Sequence, residues 1–436
     1  MKVLVVGSGG REHAICERFA KSTRVTHLYC ANGNGGIAGI AETVDIRPDD
    51  VVALADFASL NNIDLTFVGP EASLALGIVD EFCARGLQII GASRAAARLE
   101  SSKAFAKDLM ARHSIPTARY YVASSGSEAI DVLSSGFFGD ELTPTVVKAD
   151  GLAAGKGVVV AADRAKALSA IEGMGELVGE AAASSIVVEE CLVGKEISLI
   201  MFCDGEHFAL MPPTRDHKRI GEGDTGPNTG GMGTITDDSL LTDADRDRIV
   251  ETIIRPTLDG CKKEGFPFRG ILFLGLMMTD DGPKVLEYNV RFGDPETQAI
   301  LVRLETDLVD ICEAMLEGRL DKLFIRWRKG SSACIVLASE GYPGKPRTGD
   351  IISGLDAAAM MDINIFHAGT ALAAAQVSEN ELIGASAEPR YVTAGGRVLG
   401  VTAVADDLET ALAWAYAAVG KISWPGMQFR RDIGKT

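Results

Sequence analysis

The stretch Val285-Leu286-Glu287-Tyr288-Asn289-Val290-Arg291-Phe292-Gly293-Asp294-Pro295-Glu296-Thr297-Gln298 decides how the rest of the chain is read. Val285 to Val290 is dominated by branched and aromatic residues and runs into a turn at Phe292-Gly293, which predicts a strand. Side chains two apart on a strand share a face, so Glu287, Asn289 and Arg291 project together. A carboxylate, an amide oxygen and a guanidinium in one row suit a metal–phosphate site. Magnesium takes one or two protein oxygens and completes its shell from nucleotide phosphates and water. Asp294-Pro295-Glu296-Thr297 predicts a helix start, with Asp294 as N-cap and Pro295 at the first helical position. Ile300, Leu301, Leu304, Leu308 and Ile311 follow at helical spacing and predict one buried face. A half-exposed strand feeding an ordinary helix has the same spacing, so the pattern alone leaves both readings open.

Upstream, Gly270 to Met277 is an apolar run that predicts a buried strand pairing toward the Glu287 strand. Earlier still, Pro144 to Ala149 and Val158 to Val160 read as strands joined by Asp150-Gly151-Leu152-Ala153-Ala154-Gly155-Lys156-Gly157. This is no P-loop: its glycines are one residue too close, Gly157 stands in place of the hydroxyl residue, and a strand follows instead of a helix. A glycine-rich hairpin can fold over a triphosphate as a lid, offering backbone N–H groups and Lys156; an exposed hairpin without a ligand fits the same residues. Lys148 lies among apolar neighbours, and a buried lysine requires an anionic partner. Ile186 to Leu192 predicts a further strand. Gly226-Pro227-Asn228-Thr229-Gly230-Gly231-Met232-Gly233 is too glycine-dense for regular structure and predicts a loop shaped for close backbone approach.

At the start, Lys2 to Val6 runs into Gly7-Ser8-Gly9-Gly10-Arg11-Glu12-His13 and then an apolar-periodic helix. This is the opening of a doubly wound α/β sheet. The dinucleotide fingerprint needs a third glycine where Glu12 stands, which disfavours NAD binding. A second loop, Asn32 to Gly36, and the strand Leu65 to Val68 ending at Gly69-Pro70-Glu71 continue the sheet. Glu71 thus falls at a strand's carboxyl end, where open sheets place ligands; capping the next helix is its other reading. After Gly318 a last unit begins, with strands at Ala333 to Leu337, Ile365 to His367 and Val398 to Val401. Gly395-Gly396-Arg397 between two strands fits a phosphate clamp or a plain hairpin turn. The final helix is predicted to be capped by Asp406 with Glu409 three residues on.

Composition narrows the function. The 436 residues carry 43 Lys+Arg against 60 Asp+Glu, a net charge of −17, which argues against coating nucleic acid or an anionic membrane. The 8 Cys include no zinc-type spacing and no C-x-x-C, so free thiols in a reducing compartment are expected. No apolar run is long enough to cross a bilayer, and the expected location is cytoplasmic.

Taken together and in order, Gly7 to His13, Gly69 to Glu71, Ser102 to Phe105, Val147 to Gly157, Asp216-His217-Lys218-Arg219, Gly226 to Gly233, Arg291 to Gln298 and Gly395 to Arg397 resemble the glycinamide ribonucleotide synthetases of the ATP-grasp superfamily over essentially the full length. The resemblance implies a doubly wound N-terminal domain (1–102), an ATP-grasp domain (103–325) with a mobile lid module at about 117–187, and a C-terminal mixed-sheet domain (326–436). It implies ATP-dependent ligation of glycine to 5-phosphoribosylamine, with Mg2+ or Mn2+. A related ATP-grasp carboxylate–amine ligase is the alternative, and a monomer is expected, with a dimer the other choice.

By matching position, the resemblance assigns Lys103 and Lys148 to the ATP phosphates and Gly151, Gly155, Lys156 and Gly157 to the lid. It assigns Glu189, Glu190, Cys191 and Leu192 to the adenine edge and Glu196 to the ribose. Glu287 and Asn289 would bind the metal, and Arg291 would steady the transferred phosphoryl group. Asp294 joins Arg291 and Lys148 as a catalytic candidate. Gly9, Glu71, Asp216, Lys218, Gly395, Gly396 and Arg397 are assigned to the substrates, together with Arg291 and Asp294. Departures at Pro346 and in the Gly33-Asn34-Gly35-Gly36-Ile37 loop touch local contacts only.

Overall fold

The computed structural model describes residues 1–152, 157–179, 183–373 and 390–435. Lys2–Gly7 forms the centre of a five-stranded parallel sheet with His27–Asn32 and Leu65–Val68 as its neighbours. Its residues from Val3 to Val6 are all buried, as a strand covered by helices on both faces requires.

Glu12, the residue that interrupts the glycine fingerprint, explains the glycines around it. The Glu12 carboxylate accepts the N–H of Gly9 at 2.6 Å and the Nε of Arg11 at 2.6 Å. It fills the space above Gly7 and Gly69: a Cβ at Gly7 would sit 2.6 Å from its Cδ, and one at Gly69 would overlap its Oε1. The loop is therefore packed around a buried carboxylate. Gly69→Ala is expected to cost about 3 kcal/mol through this overlap; a thermal melt unchanged from wild type would contradict it.

A four-stranded antiparallel sheet follows, in the order Tyr120–Ala123, Ile186–Glu190, Thr145–Ala149, Val158–Ala161. The segment after Glu190 leads directly into Lys195–Asp204 of the largest sheet. That sheet has nine strands. It runs Gly282–Asn289, Arg269–Thr279, Lys195–Asp204, Thr214–Asp216, Gly233–Thr236, Ser331–Ala338, Arg397–Ala405, Asn364–His367, with Phe208–Leu210 beside Lys195–Asp204. The last unit therefore does not close on a separate main sheet. Ser331–Ala338 pairs antiparallel with Gly233–Thr236 and extends the central sheet, which carries Arg397 to the same region as Asn289.

Four local expectations change. The helix after the signature stretch is Glu296–Leu301, its cap is Pro295, and Asp294 does not cap it. The apolar spacing continues across a break into a second helix, Leu308–Glu317, capped by Asp307. The glycine-dense segment is not all loop: Thr225–Asn228 pairs with Arg219–Gly221, and a new strand starts at Gly233. The last helix is capped by Asp407, whose side chain accepts the Thr410 N–H, one residue beyond the expected Asp406. In each case a hydrogen bond or tertiary contact outweighed the local signal.

Candidate active site

The strand Gly282–Asn289 carries Glu287 and Asn289, and the turn after it carries Arg291. Arg291 is held from three sides. Its Nε lies 3.2 Å from Glu71, one Nη lies 2.7 Å from Glu100, and the same Nη donates to Asn289 Oδ1 at 3.1 Å. Glu100 also accepts the Val290 N–H at 2.8 Å, so it fixes both the guanidinium and the chain beneath it. Burial would lower the Arg291 pKa, but Glu100 and Glu71 outweigh it and keep the group charged. Glu71 opens the helix Glu71–Leu76 without capping it. Burial pushes its carboxyl up, and Arg291 and Arg11 more than offset this, so it stays ionised.

Glu287 sits in a ring of cations. Burial alone would raise its pKa; Lys218, Lys148, Lys103 and Arg291 overcome that and hold it below the usual carboxylate range. Lys148 ion-pairs with Glu189 at 2.8 Å and donates to the Leu286 carbonyl at 3.1 Å. Its anionic partner within the chain is therefore the Glu189 carboxylate. Lys103 donates to the Gly151 carbonyl at 3.0 Å. Lys218 pairs with Glu196 at 3.2 Å, and its ammonium is raised: burial opposes the charge, but Glu196, Glu287 and Asp216 favour it. Four cations thus converge on the single Glu287 carboxylate, which gives a polyphosphate several positive groups to engage at one place.

The donor set also fits a hard divalent ion. Glu287 and Asn289 offer oxygen ligands only, and among the described residues no cluster of three or more Asp, Glu, His or Cys could hold a metal unaided. That is the pattern of a magnesium ion shared with a nucleotide.

A second part of the site is a cleft of about 390 Å³ lined by Ser8, Gly9, Asn34, Asp294, Thr370 and Arg397 among others. Asn34 shapes one wall: its Nδ2 donates to the carbonyls of Ser8 and His367, both at 2.8 Å, and its Oδ1 accepts from Gly36 and Ile37. Arg397 donates to the carbonyls of Gly230 and Asp294 and lies 3.6 Å from the Asp294 carboxylate. Asp294 feels burial first, which raises it, and then Arg397 and Arg11, which hold it low. Asp216 goes the other way: burial and the nearby Glu296 push its pKa well up.

Gly395 and Gly396 do not line the cleft. Gly395 packs against Gly369, and Gly396 lies under the Tyr342 ring, where a Cβ would come within 2.9 Å of Cε2. Their carbonyls accept from Ser339 at 2.9 and 2.8 Å. The two strands flanking them pair with other strands, so the segment is no simple hairpin turn.

At the edge between the two sheets, Glu190 accepts the Arg119 N–H at 2.9 Å, and Cys191 and Leu192 are half-buried. Gly151 has φ +127°, and the Gly157 carbonyl accepts from Ala149. Gly155 and Lys156 lie outside the described residues. Glu100, Lys107 and Asn34 were not singled out from sequence. Only Lys107, four residues after Lys103 and so on the same helix face, carried a signal.

Beside Asn34, which donates to the His367 carbonyl, two buried histidines from distant parts of the chain meet. The His367 N–H donates to His13 Nδ1 at 2.7 Å, which requires His13 to be neutral with its proton on Nε2. Burial and His367 lower the His13 pKa to about 3, and burial lowers that of His367 to about 4. The unfolded chain binds these protons near pH 6.5, before the folded one does. Stability from this pair is thus full above about pH 6.5 and declines as pH falls toward 4, by about 3 kcal/mol for His367 alone. Denaturation midpoints measured between pH 7 and 4 should fall more steeply in wild type than in His13→Gln; equal slopes would contradict this.

The parallel-sheet domain, the small sheet beside a larger one and the cation-ringed acid–amide pair define an ATP-grasp ligase. The same architecture occurs in the biotin carboxylase domain of a 2-oxoglutarate carboxylase from Hydrogenobacter thermophilus, solved with MgADP and bicarbonate, at TM-score 0.69 over 98% of this chain and 91% of that one; at 16% identity it shows the fold alone. Models of the phosphoribosylglycinamide synthetase N domain, ATP-grasp (A) domain and C domain match residues 1–100, 101–297 and 332–436. A phosphoribosylamine–glycine ligase of Brucella melitensis is 45% identical over 100% of this chain and 97% of its own, and one of Escherichia coli O6:H1 is 46% identical over 100% and 98%. The crystal structure of the Thermotoga maritima phosphoribosylamine–glycine ligase superposes with TM-score 0.81 at 32% identity, over 99% of this chain and 100% of that one. The chain belongs to the phosphoribosylglycinamide synthetase family.

Proposed function

We propose that this chain joins glycine to 5-phosphoribosylamine, cleaving ATP to ADP and phosphate, the second step of de novo purine synthesis. The observation that carries the reading is Arg291, fixed by Glu71, Glu100 and Asn289 beside the Glu287 carboxylate and its lysines. Lys103 and Lys148 bind the nucleotide phosphates, and Glu287 and Asn289 hold Mg2+ or Mn2+. When bound, that ion draws charge from the phosphate oxygens. The segment Glu189 to Leu192, with the Glu189 side chain turned to Lys148 and Lys107, and Glu196 serve the nucleoside end. The lid residues Gly151 to Gly157 cover the phosphates.

A glycine carboxylate oxygen attacks the γ-phosphorus, ADP leaves, and glycyl phosphate forms. The phosphoribosylamine nitrogen then attacks the acyl carbon and phosphate departs. Arg291 and Lys148 stabilise charge on the transferred group throughout, so no nucleophilic side chain is required. Asp294, kept ionised by Arg397 and Arg11, faces the cleft and takes the proton the amine loses. Asp216 and Lys218 orient glycine. Gly9, Glu71 and Arg397 bound the phosphoribosylamine side, with Gly395 and Gly396 backing it.

The domains divide near 102 and 325, with the lid module at about 117–187, and the enzyme works as a cytoplasmic monomer on small molecules, without nucleic acid or membrane. The test is ADP release with glycine, alanine or bicarbonate, each with and without phosphoribosylamine. Release that needs glycine and phosphoribosylamine together is expected; release driven by bicarbonate would point to a carboxylase instead.

A further inference from the structure

Glu189 is almost fully buried, and two lysines compete for it. Lys148 lies 2.8 Å from one carboxylate oxygen and Lys107 lies 3.1 Å from the other. Lys107 stands on the helix Lys103–Arg112, and its Nζ also donates to Thr117 Oγ1 at 2.7 Å. Thr117 in turn donates to the Val285 carbonyl at 2.6 Å, on the strand that carries Glu287. Lys148 reaches the adjacent carbonyl, that of Leu286, on the same strand. The cluster therefore ties the strand Ile186–Glu190 to the strand Gly282–Asn289 through two cations and one anion. It sets two ammonium groups against one carboxylate; burial lowers the Lys107 pKa to about 8, and the Glu189 carboxylate opposes that shift, so Lys107 is still mostly charged at pH 7.

That surplus matters because the Lys148 ammonium cannot serve a buried carboxylate and a phosphate fully at once. If Glu189 had Lys148 alone, drawing Lys148 toward phosphate would leave a buried carboxylate without a counter-ion, a costly state. With Lys107 on the other oxygen, Glu189 stays paired while Lys148 turns to the phosphate.

We propose that Lys107 is a positioning residue that retains Glu189 and so frees Lys148 for the nucleotide phosphates. Lys107 does not touch the nucleotide; it acts through Glu189. The inference rests on the ATP-binding part of the proposed function and on no feature of glycine or phosphoribosylamine.

The test is calorimetric binding of Mg-ATP to the full chain, with thermal melts of each variant and ligation assayed separately. Lys107→Met should weaken binding about tenfold or more, the usual scale for a charged hydrogen bond. The double variant Lys107→Met with Glu189→Gln should recover most of that loss, because Lys148 then has no carboxylate to abandon. A role in packing alone would weaken Lys107→Met and the double variant equally, and that result overturns the proposal. Should Lys107→Met not fold, equal binding by the double variant and Glu189→Gln upholds it, and weaker binding by the double variant overturns it. A wild-type chain that bound Mg-ATP with this pattern but ligated nothing would overturn the proposed reaction and leave the counter-ion role standing.

Discussion

Replacing Arg291 by Ala should lower kcat by about a thousandfold, roughly 4 kcal/mol of transition-state stabilisation. The guanidinium is fixed by Glu71 at 3.2 Å, Glu100 at 2.7 Å and the Asn289 amide oxygen at 3.1 Å, so it is pre-oriented before substrate arrives. A donor fixed in advance needs no reorganisation as phosphoryl charge develops. Removing it also takes the nearest cation from two carboxylates, leaving Glu100 with the Val290 N–H and Glu71 with Arg11 at 3.9 Å, and breaking such a pair costs about 3 kcal/mol of stability. Arg291→Lys separates the two effects. It keeps the charge and much of the stability but cannot form the planar fork, so kcat should still fall by about two orders of magnitude. Stopped-time ADP assays on both variants, beside thermal melts, give the answer. Near-wild-type turnover in Arg291→Ala would remove Arg291 from the reaction.

Replacing Glu287 by Gln should be almost as severe, for a different reason. The carboxylate is held ionised against burial by Lys218, Lys148, Lys103 and Arg291, and it is the only anionic ligand in the acid–amide pair. Gln keeps the shape and an oxygen but removes the charge that balances four cations. The fold should tolerate this poorly charged pocket less well, yet the larger effect is on the divalent ion, whose affinity depends on ligand charge. The magnesium concentration for half-maximal ADP release should rise at least about tenfold, with kcat falling by about a hundredfold or more. A magnesium titration that superposes on wild type would show that Glu287 does not hold the ion.

Much of the candidate site was legible in the sequence, because its parts are local patterns. The period of two in Glu287, Asn289 and Arg291 predicts three polar groups in one row; the strand ends at Asn289, and a hydrogen bond still joins Arg291 to it. The buried Lys148 demanded an anion, and one is present, though as Glu189 within the chain. Glu100 had no such signal. It meets the Val290 N–H across 190 residues of sequence, a contact only the tertiary fold creates. Asn34 and His13 meet His367 across 333 and 354 residues and were silent for the same reason.

One reading was wrong and another incomplete. Asp294 looked like an N-cap because Asp-Pro-Glu is a good helix opening, but its carboxylate lies toward the half-buried Arg397 and accepts from Gln298, and a charged partner outweighs a backbone N–H. Glu12, at the third glycine position of the dinucleotide fingerprint, gave no sign in the sequence of what its carboxylate does. The structure shows instead why glycine is needed at positions 7 and 69: Glu12 fills the space where side chains would stand. Composition alone also could not show that the C-terminal strands extend the central sheet, since the pairing of Gly233–Thr236 with Ser331–Ala338 joins segments about a hundred residues apart.

The most direct measurement is a crystal structure of the full chain grown with magnesium and a non-hydrolysable ATP analogue. The account predicts the ion bound by Glu287 and Asn289 together with phosphate oxygens, with Lys103 and Lys148 on the phosphates. Nucleotide bound elsewhere, with Glu287 still facing only its lysines, would contradict it.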